Sequence, residues 1–142
     1  MVLYACIHNS GRSVAALYLT RRYAGDQLEA CSAGSEPGGG VNPVVAQVLA
    51  ERGVPTGDHA PALLTTDGVA AADVVITMGC GETCPIFPGK RYEDWPVEDP
   101  KGQDLDSVRR IVDDIDTRVR ALLADLGLAV PVEARVNPPE WS

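Results

Sequence analysis

The stretch VLYACIHNSGRSVAAL, residues 2–17, decides how this chain folds. Residues 2–5 form a short apolar run that is typical of a buried strand, and residues 13–24 have the pattern of a helix. The polar residues between them, from Cys6 to Ser13, therefore form a loop that leads from a strand into the start of a helix. The backbone N–H groups of such a loop converge, and together with the helix dipole they favour a tetrahedral oxyanion.

Three side chains add chemistry to this predicted anion loop. A sulfur at the base of the loop is favoured as the thiolate, which makes Cys6 a candidate nucleophile. Arg12 offers a planar fork for two anion oxygens, and Ser13 offers a hydroxyl to the sulfur. The other loop residues complete the predicted substrate-binding set: Ile7, His8, Asn9, Ser10 and Gly11. The loop is not a nucleotide-binding phosphate loop, because it lacks the Gly-Lys-Ser/Thr ending.

Composition limits the possible functions. The 142 residues suit one domain with one core, and we expect residues 131–142 to be an extended or disordered tail of that single domain. The net charge of −8 argues against binding to nucleic acid, which needs basic surfaces. With no membrane-spanning stretch and no signal segment, we expect a cytoplasmic protein without a membrane partner. Four cysteines in such a chain suggest catalysis or metal binding rather than structural disulfides.

Strand and helix patterns alternate along the rest of the chain. Further strands are predicted at residues 28–32, near 59–63 and at 72–77, and further helices at 42–52, after 65–67 and at 104–126, whereas 79–103 is rich in loops. Asn42 is a good N-cap and Pro43 suits the first helical position. This alternation predicts an α/β sandwich with a parallel sheet, whose active-site loops follow the carboxyl ends of the strands.

Several segments resemble the low-molecular-weight protein tyrosine phosphatases and the arsenate reductases that share their fold. They are the Cys6-to-Ser13 loop, CSAGSEP at residues 31–37, VNP at 41–43, VVITMGCGETCP at 74–85, and YEDW at 92–95 with EDP at 98–100. The resemblance spans residues 1 to about 126 and implies a three-layer sandwich with a central, mostly parallel four-stranded sheet. It also places a general acid in the last segment, at Asp99, with Asp94 as the second choice.

Cys80 and Cys84 favour the reductase branch of this fold, because a phosphatase needs only water to complete its reaction. Val14 points the same way, since phosphatases of this fold usually have proline there. The resemblance implies that Cys6 forms a covalent adduct with arsenate or a phosphate-like oxyanion. Cys80 would then attack the Cys6 sulfur to release arsenite, and Cys84 would take over the disulfide. On a helical turn the α-carbons of this pair would lie about 6 Å apart, within disulfide range.

The sequence leaves the external reductant open. Thioredoxin-coupled members of the family usually have more residues between these two cysteines. The short spacing resembles members that use a low-molecular-weight thiol such as mycothiol, with a mycoredoxin-type partner. We expect a monomer with no bound cofactor, and no potassium site, because Leu17 stands where potassium-binding members carry glutamate.

Two other functions remain open at this stage. One is a low-molecular-weight phosphatase that acts on phosphotyrosine, although PKGQ at residues 100–103 offers no aromatic wall beside Asp99. Residual phosphatase activity is expected in either case, because arsenate and phosphate share their shape. The other is a non-catalytic redox module whose cysteines hold arsenite, which would need neither Asp99 nor turnover.

The cysteines leave a structural zinc site open as another use. Cys80 and Cys84 have an acceptable spacing, and His59 or Cys31 could make a tetrahedral site with them. No second close pair of ligands exists in the sequence, however. Cys31 lies on a predicted strand as a small buried hydrophobe, and His59 is interpreted as a packing or surface residue. We therefore predict no metal site.

Overall fold

Four parallel strands form the central sheet of the computed structural model. They are β1 (Val2–Cys6), β2 (Ala30–Gly34), β3 (Val74–Met78) and β4 (Arg91–Asp94). Their order across the sheet is β2-β1-β3-β4, and every neighbouring pair is parallel. The structure describes residues 1–56, 59–79 and 90–128. The predicted four-stranded sheet is confirmed, and it is parallel throughout.

Four α-helices are described, and the last three begin at a capping side chain that the sequence offers. They are α1 (Arg12–Ala24), α2 (Pro43–Glu51), α3 (Thr66–Ala71) and α4 (Leu105–Asp125), with a 3₁₀ turn at Gly25–Gln27. The Asn42 side chain accepts hydrogen bonds from two N–H groups of α2, and Pro43 takes its first position, as predicted. Asp104 caps α4 in the same way through the N–H of Ser107. Within the described ranges, no helix is long and apolar enough to cross a membrane.

Helices cover both faces of the sheet, which confirms the three-layer arrangement. Along β1, alternate residues Val2, Tyr4 and Cys6 point into a large core shared with α1, α2 and α4. Leu3 points to the opposite face and packs in a smaller core with Val69 of α3. Successive side chains of a strand point to opposite faces, so β1 is buried on both of its faces.

The register of β1 fixes the position of Cys6. Cys6 ends the strand level with Gly34 of β2 on one side and Met78 of β3 on the other. The connections that leave these three strands therefore start at the same edge of the sheet, where ligands of open parallel sheets bind.

Two strand predictions were wrong. Residues 91–94 lie in the segment that the sequence predicts to be rich in loops, but they form β4. In this edge strand Arg91 is exposed and Glu93 is half-buried, so its sequence shows no apolar pattern. The candidate strand near 59–63 contributes only one isolated bridge, between Leu63 and Gly34. In addition, β2 begins at Ala30, two residues later than the predicted start at residue 28. The predicted tail, residues 131–142, lies outside the described residues.

Candidate active site

A cavity of about 570 Å³ opens at the carboxyl edge of the sheet. Five residues of the predicted anion loop line it: Cys6, His8, Ser10, Gly11 and Arg12. Its other walls come from residues 38–44 and 99–103. Cys6 is 2 % exposed, so its sulfur lies deep in this cavity. Of the predicted substrate-binding set, Ile7, Asn9 and Ser13 are not among the described residues that line the cavity.

The anion loop is fastened by its backbone carbonyl groups to the segment that follows β2. The carbonyls of Cys6, Ile7, His8 and Ser10 accept hydrogen bonds from the N–H groups of Ser35, Glu36, Gly38 and Asn42, respectively, at 2.7–3.2 Å. In contrast, the N–H groups of residues 8–12 donate to no backbone carbonyl within the described ranges. Buried N–H groups need an acceptor, so this arrangement leaves a set of donors for an anion.

A chain of polar side chains ends at the Cys6 sulfur. The Asn9 amide Nδ2 donates to Ser13 Oγ at 2.7 Å, and Ser13 Oγ lies 2.9 Å from Cys6 Sγ. Because Asn9 supplies the proton of the first contact, the hydroxyl proton of Ser13 is free to point at the sulfur. The two contacts therefore place a hydrogen-bond donor beside the buried sulfur.

Asn9 holds the loop in an unusual conformation. Its side chain is fully buried and its φ is 50°, in the left-handed region that few residues other than glycine adopt. Its Oδ1 accepts from the N–H of Ala62 at 2.9 Å, which ties the loop to the segment before α3. Asn9 thus acts on the cavity by shaping the loop.

His59 is a neighbour of the loop that the sequence did not identify. Its ring packs edge-on against Tyr18 at 5.7 Å between centroids. Burial lowers the pKa of His59 below its ordinary value, against the opposing effect of the nearby Asn9 backbone. Fifty residues separate His59 from Asn9 along the chain, and no local pattern signals the contact.

Arg12 and Asp99 meet at the same cavity. The Arg12 guanidinium is almost fully buried and donates from Nη1 to the carbonyl of Val97 at 3.2 Å. Its Nη2 lies 3.9 Å from Asp99 Oδ2. Asp99 is half exposed, and its Oδ1 accepts from the N–H of Lys101 at 3.0 Å. The second-choice acid, Asp94, instead accepts a hydrogen bond from Thr77 and does not line the cavity.

The remaining cysteines and candidate ligands are distributed differently. Cys80 and Cys84 lie outside the described residues. Cys31 is half-buried, with its sulfur 3.4 Å from that of Met1, and burial raises the pKa of its thiol. Among the side chains that the structure describes, no three His, Cys, Asp or Glu residues cluster as metal ligands would.

One wall of the cavity, formed by Gly38, Gly39 and Gly40, was not predicted. Lys101 and Gln103 line another, beside Asp99. None of the described lining residues is Phe, Tyr or Trp. The walls are therefore suited to a small charged ligand more than to an aryl ester.

Comparisons with known proteins agree with one another. The family model for low molecular weight phosphotyrosine protein phosphatase matches residues 1–131. A putative arsenate reductase of Halobacterium salinarum is 32 % identical over 121 residues, which is 82 % of this chain and 85 % of that protein.

Two solved structures extend the comparison. The thioredoxin-dependent arsenate reductase of Corynebacterium glutamicum is 44 % identical with a TM-score of 0.79; the match covers 89 % of this chain and 61 % of that chain. This chain thus spans less than two thirds of the Corynebacterium protein. The arsenate reductase of Archaeoglobus fulgidus is 33 % identical with a TM-score of 0.73, over 87 % of this chain and 99 % of that one.

Proposed function

This chain belongs to the low-molecular-weight phosphotyrosine protein phosphatase family, and within that family we propose that it is an arsenate reductase. One observation carries the proposal. The Cys6 residue is buried at a loop whose N–H groups at residues 8–12 donate to no backbone carbonyl of the described residues, and the Ser13 hydroxyl lies beside its sulfur. Relatives that match over most of the chain are named arsenate reductases, which supports arsenate as the oxyanion.

In the proposed first step, the Cys6 thiolate attacks arsenic(V) in bound arsenate. The loop N–H groups and the Arg12 guanidinium hold the other oxygens and stabilise the charge that they develop. An S–As bond forms and one As–O bond breaks. Asp99 donates a proton to the departing oxygen, which leaves as water. The position of Asp99 in the cavity beside Arg12 supports this role.

In the proposed second step, another thiolate attacks the Cys6 sulfur. An S–S bond forms, and the electron pair of the S–As bond passes to arsenic. Arsenic(V) is reduced to arsenic(III) and leaves as arsenite, while two thiols are oxidised to one disulfide. On the sequence pattern alone, we assign the attacking thiol to Cys80. Cys84 then attacks Cys80, which releases the Cys6 thiolate and leaves the disulfide between Cys80 and Cys84.

The cycle closes when an external dithiol reduces the disulfide. We propose a thioredoxin for this step, because the Corynebacterium relative is described as thioredoxin-dependent. Mycothiol with a mycoredoxin is the other candidate, since the short Cys80–Cys84 spacing favours it. In that route mycothiol takes the place of Cys80 and attacks the Cys6–arsenic adduct, and the mycoredoxin completes the reduction. Both reductants need a reducing compartment, which places the activity in the cytoplasm.

Arsenate-dependent consumption of NADPH tests the proposal. The protein is assayed with thioredoxin and its reductase, and separately with mycothiol, mycoredoxin and their reductase. Four single variants are compared: Cys6→Ser, Cys80→Ser, Cys84→Ser and, as the matched control, Cys31→Ser. We expect Cys6→Ser to abolish turnover and Cys31→Ser, whose thiol lies on β2 against Met1, to retain it.

The pattern across the variants separates the reaction routes. Loss in Cys6→Ser, Cys80→Ser and Cys84→Ser with thioredoxin supports the internal disulfide. Loss in Cys6→Ser alone, with turnover supported by mycothiol, supports the external thiol. If no reductant gives turnover and an aryl phosphate is cleaved well, the chain is a phosphatase and the proposal is wrong.

A further inference from the structure

Gly79 lies against the guanidinium that lines the anion cavity. It follows β3 directly and has a φ of 90°, in the left-handed region. A Cβ atom at this position would lie 2.7 Å from Arg12 Nη1, and 3.1 Å from both Cζ and Nη2. Carbon atoms essentially never approach other heavy atoms to 2.7 Å without a bond, so a side chain at position 79 would displace the guanidinium.

The guanidinium has little room to move away. The Arg12 side chain is 9 % exposed, and Nη1 is already bound to the carbonyl of Val97. On the other side, Nη2 faces the carboxylate of Asp99 at 3.9 Å. The backbone of Gly79 therefore lies on one side of the guanidinium. Val97 and Asp99, both in the segment after β4, contact it on other sides.

We propose that Gly79 is a positioning residue for the oxyanion. Its missing side chain lets the end of β3 come close enough to hold the Arg12 guanidinium toward the cavity. The inference rests on the proposed function, in which Arg12 binds the oxyanion. The guanidinium is the end of a flexible side chain, so a side chain at position 79 would push it out of its present position beside Val97. We therefore expect such a substitution to weaken anion binding more than it lowers the stability of the fold.

The test compares two glycines that both have a positive φ. Gly53 has a φ of 74°, and a Cβ atom there would meet no atom within 4 Å. Gly79→Ala and Gly53→Ala therefore both place a side chain at a positive φ, but only the first one disturbs Arg12. Gly79→Asn and Gly53→Asn repeat the comparison with a residue that tolerates positive φ, in case an alanine variant fails to fold.

Binding of inorganic phosphate is measured by titration calorimetry, and the unfolding midpoint of each variant is measured alongside. We expect the Gly79 variants to bind phosphate about 10- to 100-fold more weakly, the scale of hydrogen bonds to a charged group. The Gly53 variants should bind it as the unmodified chain does, at a similar loss of thermal stability.

An Arg12→Lys background checks that the effect passes through Arg12. An ammonium group is smaller than a guanidinium, so Gly79→Ala should weaken phosphate binding much less there, a non-additive result. Three results would overturn the inference. Gly79→Ala could weaken phosphate binding equally with Arg12 and with Lys at position 12, the Gly53 variants could lose as much phosphate affinity as the Gly79 variants, or the Gly79 variants could bind phosphate as the unmodified chain does. If the unmodified chain binds neither phosphate nor arsenate, the proposed function itself is wrong, and the inference is rejected with it.

Discussion

The side-chain amide of Asn9 donates to the hydroxyl oxygen of Ser13 at 2.7 Å, and this bond sets the direction of the Ser13 proton. With its oxygen occupied as an acceptor, the hydroxyl can serve the Cys6 sulfur 2.9 Å away as a donor. Both polar residues are fully buried. The pair therefore places a hydrogen-bond donor beside the sulfur before any substrate enters.

Ser13→Ala should slow alkylation of Cys6 by iodoacetamide, and arsenate turnover, by about 10-fold or more, because a hydrogen bond to a charged group is lost. Ser32→Ala is the matched control. Ser32 is also buried, but its hydroxyl has no hydrogen-bond partner among the described residues. We expect this control to react at the unmodified rate. Equal alkylation rates in both variants would contradict the role of Ser13.

Asp99→Asn should reduce kcat for arsenate by about 10²- to 10⁴-fold, the usual contribution of a general acid. An amide cannot donate the proton, although it retains an acceptor for the N–H of Lys101. Asp94→Asn should have little effect, because Asp94 lies outside the cavity and its Oδ1 can still accept from Thr77. The measurement is kcat for both variants under saturating reductant. If Asp94→Asn proves the more damaging substitution, the acid is misassigned.

Stability should fall on mild acidification because of His59. Burial lowers its pKa in the folded state below the unfolded value of about 6.5, so the unfolded chain takes up the proton more readily. The contribution of His59 to the free energy of unfolding is therefore complete above about pH 6.5. It is lost as the pH falls from there toward the lower pKa that His59 has in the folded state. The measurement is the unfolding midpoint between pH 7 and pH 5.

His59→Gln should flatten this pH dependence, and His8→Gln should leave it unchanged. His8 is the only other histidine in the chain, and its Nδ1 lies 3.0 Å from the carbonyl of Glu36 in an exposed position. Charges that face His59 include Arg21, which also lowers its pKa. A profile that flattens in the His8 variant instead would show that the wrong histidine has been chosen.

Tyr23→Phe should destabilise the fold by about 1–3 kcal/mol without changing kcat. The Tyr23 hydroxyl donates to the carboxylate of Asp116, a buried hydrogen bond that joins α1 to α4 far from Cys6 in sequence. Asp116 also pairs with Arg120 at 3.0 Å, and this contact is expected to remain. Urea unfolding and steady-state turnover test the two halves of the prediction. A change in kcat at full folding would mean that the α1–α4 contact reaches the site.

Elements with strong local patterns were predictable from the sequence. The sequence predicts β1 and β3 because strands of a buried parallel sheet are continuous apolar runs. It predicts α4 because an amphipathic helix repeats its apolar residues at helical spacing. The edge strand β4 has no such pattern. Its Arg91 pairs with Glu93 on the same strand and with Asp125 of α4, which is 34 residues away in sequence. The charged residues therefore hide the strand from a search for apolar runs.

The candidate site divides in the same way. The anion loop is contiguous, and its cysteine, glycine and Arg-Ser pair point to oxyanion chemistry without any knowledge of the fold. The contacts that support the loop depend on tertiary structure: His59 with the Asn9 backbone, and Gly79 with the Arg12 guanidinium. No spacing rule connects those residues, because sheet order and not chain distance brings them together.

The depth of Cys6 limits what can visit it. With 2 % of the Cys6 residue exposed, a cysteine on the surface of a bulky folded reductant would not meet its sulfur directly. Under the proposed function, electrons would pass through an intermediate thiol that is small enough to enter the cavity or is carried on a segment of this same polypeptide.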